Sequence, residues 1–427
     1  VPIRLLAAGD MHLGRRPARL PDELAGEGRR YGPSAAWQRT VDQAIEHAVD
    51  IVALAGDVVE QEDDFFEAYR DLKAGVERLA AAGITVIGVS GNHDVQVLPR
   101  LAAEIQSFRL LGAGGDWEVF EFADGQARLT IHGWSFPHKQ VRTSPLAGHR
   151  FERGEGIHLG LLHCDRDQRD SVYAPVTSGE LAAAGLDGWL LGHIHRPDAL
   201  TAPNPSGYLG SLSGLHPGEH GVRGPWLIEI EHGRIQRVEQ WPLAPLQWQR
   251  MVLDLTGIEQ PEDALGRLLR EIETLEAELN RRHQPPLAVG LRIRLTGRTG
   301  LGGAVAEALS GEANVSGSHA CVYFIESVIV ATRPETDLAE LAEREQGNYL
   351  GLLARRLQVL DGPAEDHERQ RLIEGARRQL ESTIDQPRWA GLDRPSMDDD
   401  QLADQLADTG IRLLEDLIRQ RHPEAGQ

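Results

Sequence analysis

The sequence predicts an α/β fold with parallel strands covered by helices. Two observations carry that reading. Short apolar runs alternate with amphipathic stretches of helical length, and the runs end in glycine followed by Asp, Asn or His. Taken in order, Ile3–Ala8 forms a first strand. Trp37 to Val49 reads as a helix with Val41, Ala44, Ile45 and Ala48 on one face. "DIVALAGD" is a second strand. "FFEAYRDLKAGVERLAAAG" is a second helix, turning Phe65, Tyr69, Leu72, Val76 and Leu79 inward and closing at Gly83. "ITVIGVSGNHD" is a third strand, and βαβαβ order implies parallel pairing with helices on the sheet faces. Further strands follow at "ARLTIHGW", "GIHLGLLH" and "GWLLGHIH", then a pair at "PWLIEIEHG" and "RIQRVEQW".

Composition narrows the class. A chain of 427 residues, 41% apolar and 26% charged, is an ordinary globular protein of two or three domains. It has no apolar run of the ~18 residues that a membrane helix needs. The first apolar run is short, lacks a small-residue cleavage site and flows into Asp10, unlike a signal peptide. Cys164 and Cys321 make no disulfide framework, which fits a reducing cytoplasm. A net charge of −21 argues against a broad nucleic-acid surface, so any DNA contact is local or supplied by a partner. Lys73 and Lys139 are the sole lysines and neither follows a glycine-rich loop, so this chain has no GxxxxGK[ST] site for ATP. "GRTGLGG" lacks a lysine and reads as a turn before a helix.

The strand ends carry the chemistry. They deliver Asp10 and His12, then Asp57, then Asn92, His93 and Asp94, then His163, then His193 and His195. In open α/β sheets, sites form beyond the carboxyl ends of the strands. This set is rich in oxygen and imidazole donors and poor in thiolate, which suits a divalent transition metal such as Mn, Fe or Zn. The candidates exceed the needs of one ion. Two ions ~3.5–4 Å apart, bridged by a carboxylate, would use them. Each motif alone is weak, since DxH or GD is common in surface turns. Their combination at successive strand ends is not.

"GDMHLG", "GDVVE", "GNHD", "LLHC" and "GHIH" together resemble the ordered motifs of the calcineurin-like metallophosphoesterases. The resemblance implies a fold of two packed β-sheets flanked by helices. It also implies one metal site from Asp10, His12, Asp57 and His195 and a second from Asp57, Asn92, His163 and His193. His93 would be the catalytic general acid, and Asp94 would orient it. "DDFFEAY", "YAPVTSGELAAAGLDGWLLGHIHRP" and "YLGSLSGLHPGEHGVRGPWLIEI" look most like the SbcD-type DNA repair nucleases, in their YhaO-like branch. On that likeness, residues 1–245 are the nuclease domain, 246–335 a small α+β capping domain with strand–helix–strand–helix–strand order, and 336–427 a helical region. The implied activity is a Mn(II)-dependent exonuclease of DNA repair, with endonuclease activity also open. The implied partners are DNA and a coiled-coil ATPase of the SbcC or YhaN kind, and a homodimer is open. Glu60 stands where many relatives have Asp.

Other residues carry competing readings. Arg15, Arg16 and Arg19 follow the first metal motif and are candidates to contact DNA phosphates, or belong to a solvated loop with Asp22, Glu23 and Glu27. His158 reads as core or sheet face, His216 and His220 as outer neighbours of the site, and Cys164 as a packed thiol. Leu402, Leu406, Ile411, Leu414 and Ile418 form an apolar stripe that packs on this chain's own core or docks a partner helix. Two rival functions remain at this stage: a phosphoesterase for a small substrate such as a cyclic nucleotide or phosphomonoester, and a non-catalytic scaffold.

Overall fold

The computed structural model describes residues 2–61, 65–311, 314–316, 321–332, 337–385 and 397–421. In chain order the elements are β1 (Ile3–Ala8), α1 (Asp22–Ala25), α2 (Gly28–Tyr31), α3 (Pro33–Glu46), β2 (Ile51–Ala55), α4 (Phe65–Ala81), β3 (Thr85–Val89), α5 (Leu98–Glu104), β4 (Phe108–Leu110), β5 (Trp117–Asp124), β6 (Ala127–Trp134), β7 (Ile157–His163), α6 (Ser178–Ala183), β8 (Gly188–Gly192), β9 (Ser206–Tyr208), β10 (Trp226–Glu231) and β11 (Arg234–Gln240). There follow β12 (Leu246–Asp254), α7 (Pro261–Leu279), β13 (Ala288–Thr296), α8 (Gly302–Gly311), β14 (Asn314–Ser316), β15 (Val322–Val330), α9 (Leu338–Arg344), α10 (Tyr349–Leu360), α11 (His367–Ile384) and α12 (Asp399–Arg421). Among the described residues, no helix is long and apolar enough to cross a membrane.

A six-stranded sheet has the order β11-β10-β1-β2-β3-β4, and a five-stranded sheet the order β5-β6-β7-β8-β9. β1, β2, β3 and β4 pair in parallel, as βαβαβ order requires, and β10 joins β1 antiparallel. In the second sheet β6 to β9 are parallel and β5 is an antiparallel edge. Strand residues alternate faces. Ile3, Leu5, Ala7, Ile51, Ala53, Ala55 and Ile87 pack with Leu129, Ile131, Leu159, Leu161 and Leu190 of the second sheet. The alternate residues Leu6, Ala8, Val52, Leu54 and Val86 pack with Trp37, Val41, Leu72, Val76 and Leu79 of α3 and α4. Burial on both faces explains why these strands are unbroken apolar runs.

α3 begins at Pro33, ahead of the helix read from Trp37. Proline is favoured in the first helical turn, where its missing N–H costs no bond. α4 closes at Gly83, whose φ of +80° suits glycine, as expected.

The chain divides into two compact units, one of residues 1–251, 269–292 and 312–327, the other of 252–268, 293–311 and 328–427. This division cuts through the segment 246–335 that the sequence reading set apart as a cap, and the expected boundary at 335/336 lies outside the described residues. A four-stranded sheet of order β12-β13-β15-β14, with α7 and α8, supplies the expected strand and helix order plus the short β14. In the first unit, Leu246, Trp248, Ala288 and Phe324 pack with Tyr31. In the second, Ile411 and Leu414 are buried against Leu341, Leu350, Ala354 and Leu357 of α9 and α10, and Leu402 against Ile373 of α11. The apolar stripe on α12 is thus covered largely by this chain's own helices. That removes Leu414 as a partner contact.

On the face of the five-stranded sheet turned away from the six-stranded one, His132 and His158 are buried, with His132 Nε2 3.1 Å from His158 Nδ1. Burial, and then His158, His149 and Arg153, push the His132 pKa down to about 4. Unfolding restores an imidazole with a pKa near ~6.5. The unfolded chain therefore binds more protons between these values, and this part of the stability is lost as pH falls through that window. Between pH 7 and pH 5, denaturant titrations of His132→Leu should show about 2 kcal/mol less loss of stability than the parent. Equal losses would mean that the imidazole titrates in the fold as it does in the unfolded chain.

Candidate metal centre

The ligands predicted from the strand ends converge, and the backbone is bent to bring them in. Asp10 (φ +45°), His12 (φ +51°), Asp57 (φ +48°) and His193 (φ +105°) all have positive φ. Such conformations cost a non-glycine residue on the order of 1–3 kcal/mol and collect at functional sites. Backbone bonds hold them: His12 N–H donates to the Asp57 carbonyl at 2.9 Å, and Leu13 N–H to that of Val58 at 2.8 Å.

Three groups of donors result among the described residues, one of them His12 with Glu60 and His93. Asp10, His12 and His195 bring their ligand atoms within 4.8 Å of one another, and so do Asp57, His163 and His193. In the first group, the Nε2 atoms of His12 and His195 face each other at 2.9 Å. In the second, His163 Nε2 lies 3.1 Å from Asn92 Oδ1 and 3.3 Å from Asp57 Oδ2. Asp57 Oδ1 accepts from the His93 N–H at 3.0 Å, and Asp10 accepts from the His193 N–H at 2.9 Å. Asp10, His12, Asp57 and His163 are buried, Asn92, His193 and His195 partly so, and His93 is exposed. Buried imidazoles aimed at each other and at carboxylates, with no thiolate, fit divalent cations.

The electrostatics agree. Burial raises the Asp57 pKa, but the charge and hydrogen bond of His163, with His12 and His93, outweigh it and hold the carboxyl below its usual range. Burial lowers the His163 pKa, but Asp57 and Asp10 more than offset it and lift it to about 9. For Cys164, burial pushes the thiol well above its ordinary range, in line with a packed, inert side chain.

Glycine makes room for the site. A Cβ on Gly192 would lie 2.0 Å from the Ala55 carbonyl oxygen and 2.8 Å from His163 Nδ1, and one on Gly91 would lie 2.1 Å from Asp57 Oδ1.

The role implied for Asp94 is corrected. Its carboxylate does not meet the His93 ring. It accepts from Val58 N–H at 2.7 Å and Gly91 N–H at 2.8 Å, tying together the loops that carry Asp57 and Asn92. Asp94 is fully buried, so its oxygens go to buried amide donors that would otherwise be unpaired. His93 Nδ1 instead lies 3.0 Å from the Glu60 carbonyl oxygen.

Three carboxylates escaped the sequence reading of the site. Glu60 Oε2 is 2.7 Å from His12 Nδ1, Glu219 Oε1 is 2.8 Å from His195 Nδ1, and Asp165 Oδ2 is 3.8 Å from His193 Nε2. Glu60 had drawn notice only as a departure from Asp. Nothing in the spacing of Glu219 or Asp165 pointed to a metal. His216 and His220 engage the backbone of Gly218 in a local turn, on either side of Glu219.

Residues 3–197 match the calcineurin-like phosphoesterase family, and residues 248–333 match the middle domain of the metallophosphoesterase YhaO. The first 197 residues carry a calcineurin-like metallophosphoesterase domain. The chain is similar to an uncharacterized metallophosphoesterase, YhaO, of Bacillus subtilis (strain 168), 26% identical over 59% of this chain and 61% of that one. It is also similar to DNA double-strand break repair proteins Mre11 of Methanopyrus kandleri and Aeropyrum pernix. These are 22% and 27% identical, each over 63% of this chain, and over 62% and 68% of theirs. The first two similarities thus span less than two thirds of those relatives' own lengths.

Within the metallophosphoesterase domain, Arg15, Arg16 and Arg19 are all exposed. Arg15 lies beside the donors, 3.6 Å from Glu60 Oε2, while the Arg16 stem packs over Gly28.

Replacing Asp57 with Ala should abolish binding of both divalent ions if its carboxylate bridges them, as elemental analysis after dialysis against Mn(II) would show. A variant that still holds two ions per chain would exclude the bridge. Gly192→Ala should displace His163 and lower both metal content and Tm, whereas an alanine at Gly154, where a Cβ meets nothing within 4 Å, should change neither.

Proposed function

We propose that this protein is a metal-dependent DNA phosphodiesterase. It acts as an exonuclease, with endonuclease activity left open, uses two divalent ions, by preference Mn(II), and works in the cytoplasm with a coiled-coil ATPase of the SbcC or YhaN kind. The observation that carries the reading is His93. It is an exposed imidazole whose ring centre lies 5.2 Å from that of His12, at the edge of two converging donor groups. Asp10, His12, Asp57 and His195 would hold one ion, and Asp57, Asn92, His163 and His193 the other. Bound there, the pair would offset the charge of a phosphodiester and supply a water that is nucleophilic near neutral pH.

The chain's own residues then have defined tasks. With Nδ1 held by the Glu60 carbonyl, His93 presents Nε2 to the leaving oxygen and donates the proton that oxygen needs. Asn92 contributes a neutral oxygen beside His163. The His93 N–H fixes the orientation of the Asp57 carboxylate, so the loop that carries the general acid is tied to the loop that carries the carboxylate.

DNA as substrate is supported by the two Mre11 relatives and by the match beyond the catalytic domain, which a small-substrate phosphoesterase does not need. The acidity of the chain and its lack of a lysine-bearing phosphate loop support a partner that brings ATP and a basic surface. With the α12 stripe largely covered, the exposed side chains Tyr349, Leu352 and Leu413 are among the apolar contacts that the described helices offer such a partner.

Linear duplex, single-stranded DNA, a cyclic nucleotide and bis-p-nitrophenyl phosphate, each with Mn(II) and with and without the co-expressed ATPase, test the proposal. DNA should be degraded. His93→Gln should keep its metal and cut DNA about 10²–10⁴-fold more slowly, with a smaller loss on the nitrophenyl ester, whose leaving group needs no proton. Turnover of the cyclic nucleotide with DNA untouched under every condition would overturn the assignment.

A further inference from the structure

The third donor group joins His12, Glu60 and His93, with one ligand atom from each within 4.8 Å of the others. His12 Nε2 faces His195 in the first group, which leaves the other nitrogen of the same ring for this one. His12 is only 1% exposed, yet among the described residues its Nδ1 has no hydrogen-bond partner, and neither has the buried Oε2 of Glu60. The two atoms are 2.7 Å apart but do not line up as a hydrogen bond. A buried polar atom without a partner is costly and rare in a folded chain. Here two of them converge beside the exposed imidazole of His93, whose ring centre is 5.2 Å from that of His12.

The chemistry of this group fits a cation. Two imidazoles and a carboxylate, with no thiolate, make a set that Zn(II) accepts, leaving a fourth place for water. Ligand atoms 2.7 Å apart can both reach one Zn(II) at ~2.0–2.2 Å from each. One charge opposes it. The Arg15 guanidinium lies 3.6 Å from Glu60 Oε2, and being exposed it can swing away.

We infer that His12, Glu60 and His93 form a third ion position, additional to the two at the strand ends, which takes Zn(II) in excess and stops the reaction. The inference rests on the two-ion reading and on the role proposed for His93. An ion here has to take a nitrogen of the His93 ring. At Nε2 it occupies the place of the proton that the leaving oxygen needs. At Nδ1 it breaks the contact with the Glu60 carbonyl that aims the ring. His12 then holds an ion on each nitrogen, and its remaining proton passes to solvent. That proton and the charge of Arg15 make this the last position to fill.

Dialysis of the metal-free full chain against rising Zn(II) alone, with elemental analysis, counts the ions. The parent should reach three per chain, and Glu60→Gln should stop at two. His93→Gln should also stop at two, and as a change to an exposed side chain it guards against a folding defect at position 60. Arg15→Gln should reach three at roughly tenfold lower Zn(II). Linear DNA, with the co-expressed ATPase, and bis-p-nitrophenyl phosphate give the second readout. As the third ion binds, DNA cleavage should fall about 10²–10⁴-fold and turnover of the ester much less, because its leaving group needs no proton. A parent that saturates at two ions, or variants that still bind three, would overturn the inference and leave the two-ion reading intact. Loss of activity before the third ion binds, or equal loss on both substrates, would overturn its inhibitory action through His93. Uptake of a single ion by the parent would overturn the two-ion reading itself.

Discussion

The contact on which the site depends is the one between the His163 ring and the Ala55 carbonyl. It joins the end of β7 in one sheet to the end of β2 in the other, at 3.0 Å. The ring has no room to move. Gly56 and Gly192 pack against its Nδ1 side, and Gly91 against Cε1. Three strand ends therefore close around one imidazole, and the distance between the sheets is set where the chemistry must happen. Substituents on those glycines would move the sheets apart before they touched any ligand.

Around that contact the site is over-determined. Asp57 takes the His93 N–H on one oxygen and faces His163 with the other. Asp94 braces the loops on either side. Asp10 is held against the His193 N–H. Each carboxylate is satisfied by groups of the chain itself, so the donors are arranged by the fold. Buried charge at Asp57 and Asp10 is matched by imidazole or amide hydrogen, whereas burial and the charge of Asp57 push the Asp94 pKa up to about 7 against its amide donors.

Much of this was legible in the sequence, for physical reasons. Parallel strands buried on both faces must be apolar throughout, so β1, β2, β3, β7 and β8 stood out. Their ends must carry the polar residues, so the donors stood out too. The strands that went unread had weaker signals. β4 and β9 have three residues each, and β5 is an edge with a single buried residue in "WEVFEFAD". The outer carboxylates were not legible, because Glu219 meets His195 only through the return of a loop between β9 and β10, which no local spacing records. The assignment of His93 to Asp94 failed for a related reason. Adjacency in sequence suggested a partnership, but a fully buried carboxylate answers first to the amides around it. The compact units have no such local mark in the sequence, since strands β12, β13 and β15 contribute residues to both.

The positive φ angles at Asp10, His12, Asp57 and His193 have a consequence for how the site is to be dissected. At these positions a side chain supplies two separate things, a donor atom and a tolerance for left-handed backbone. Asn keeps the second while changing the first, because its short polar side chain suits that conformation; Ala and the β-branched residues give up both. A defect caused by alanine at Asp10 or Asp57 thus mixes the loss of a ligand with the relaxation of a bent strand end. An asparagine there isolates the charge. The same asymmetry leaves few residue types that could stand at these positions without unbending the strand ends.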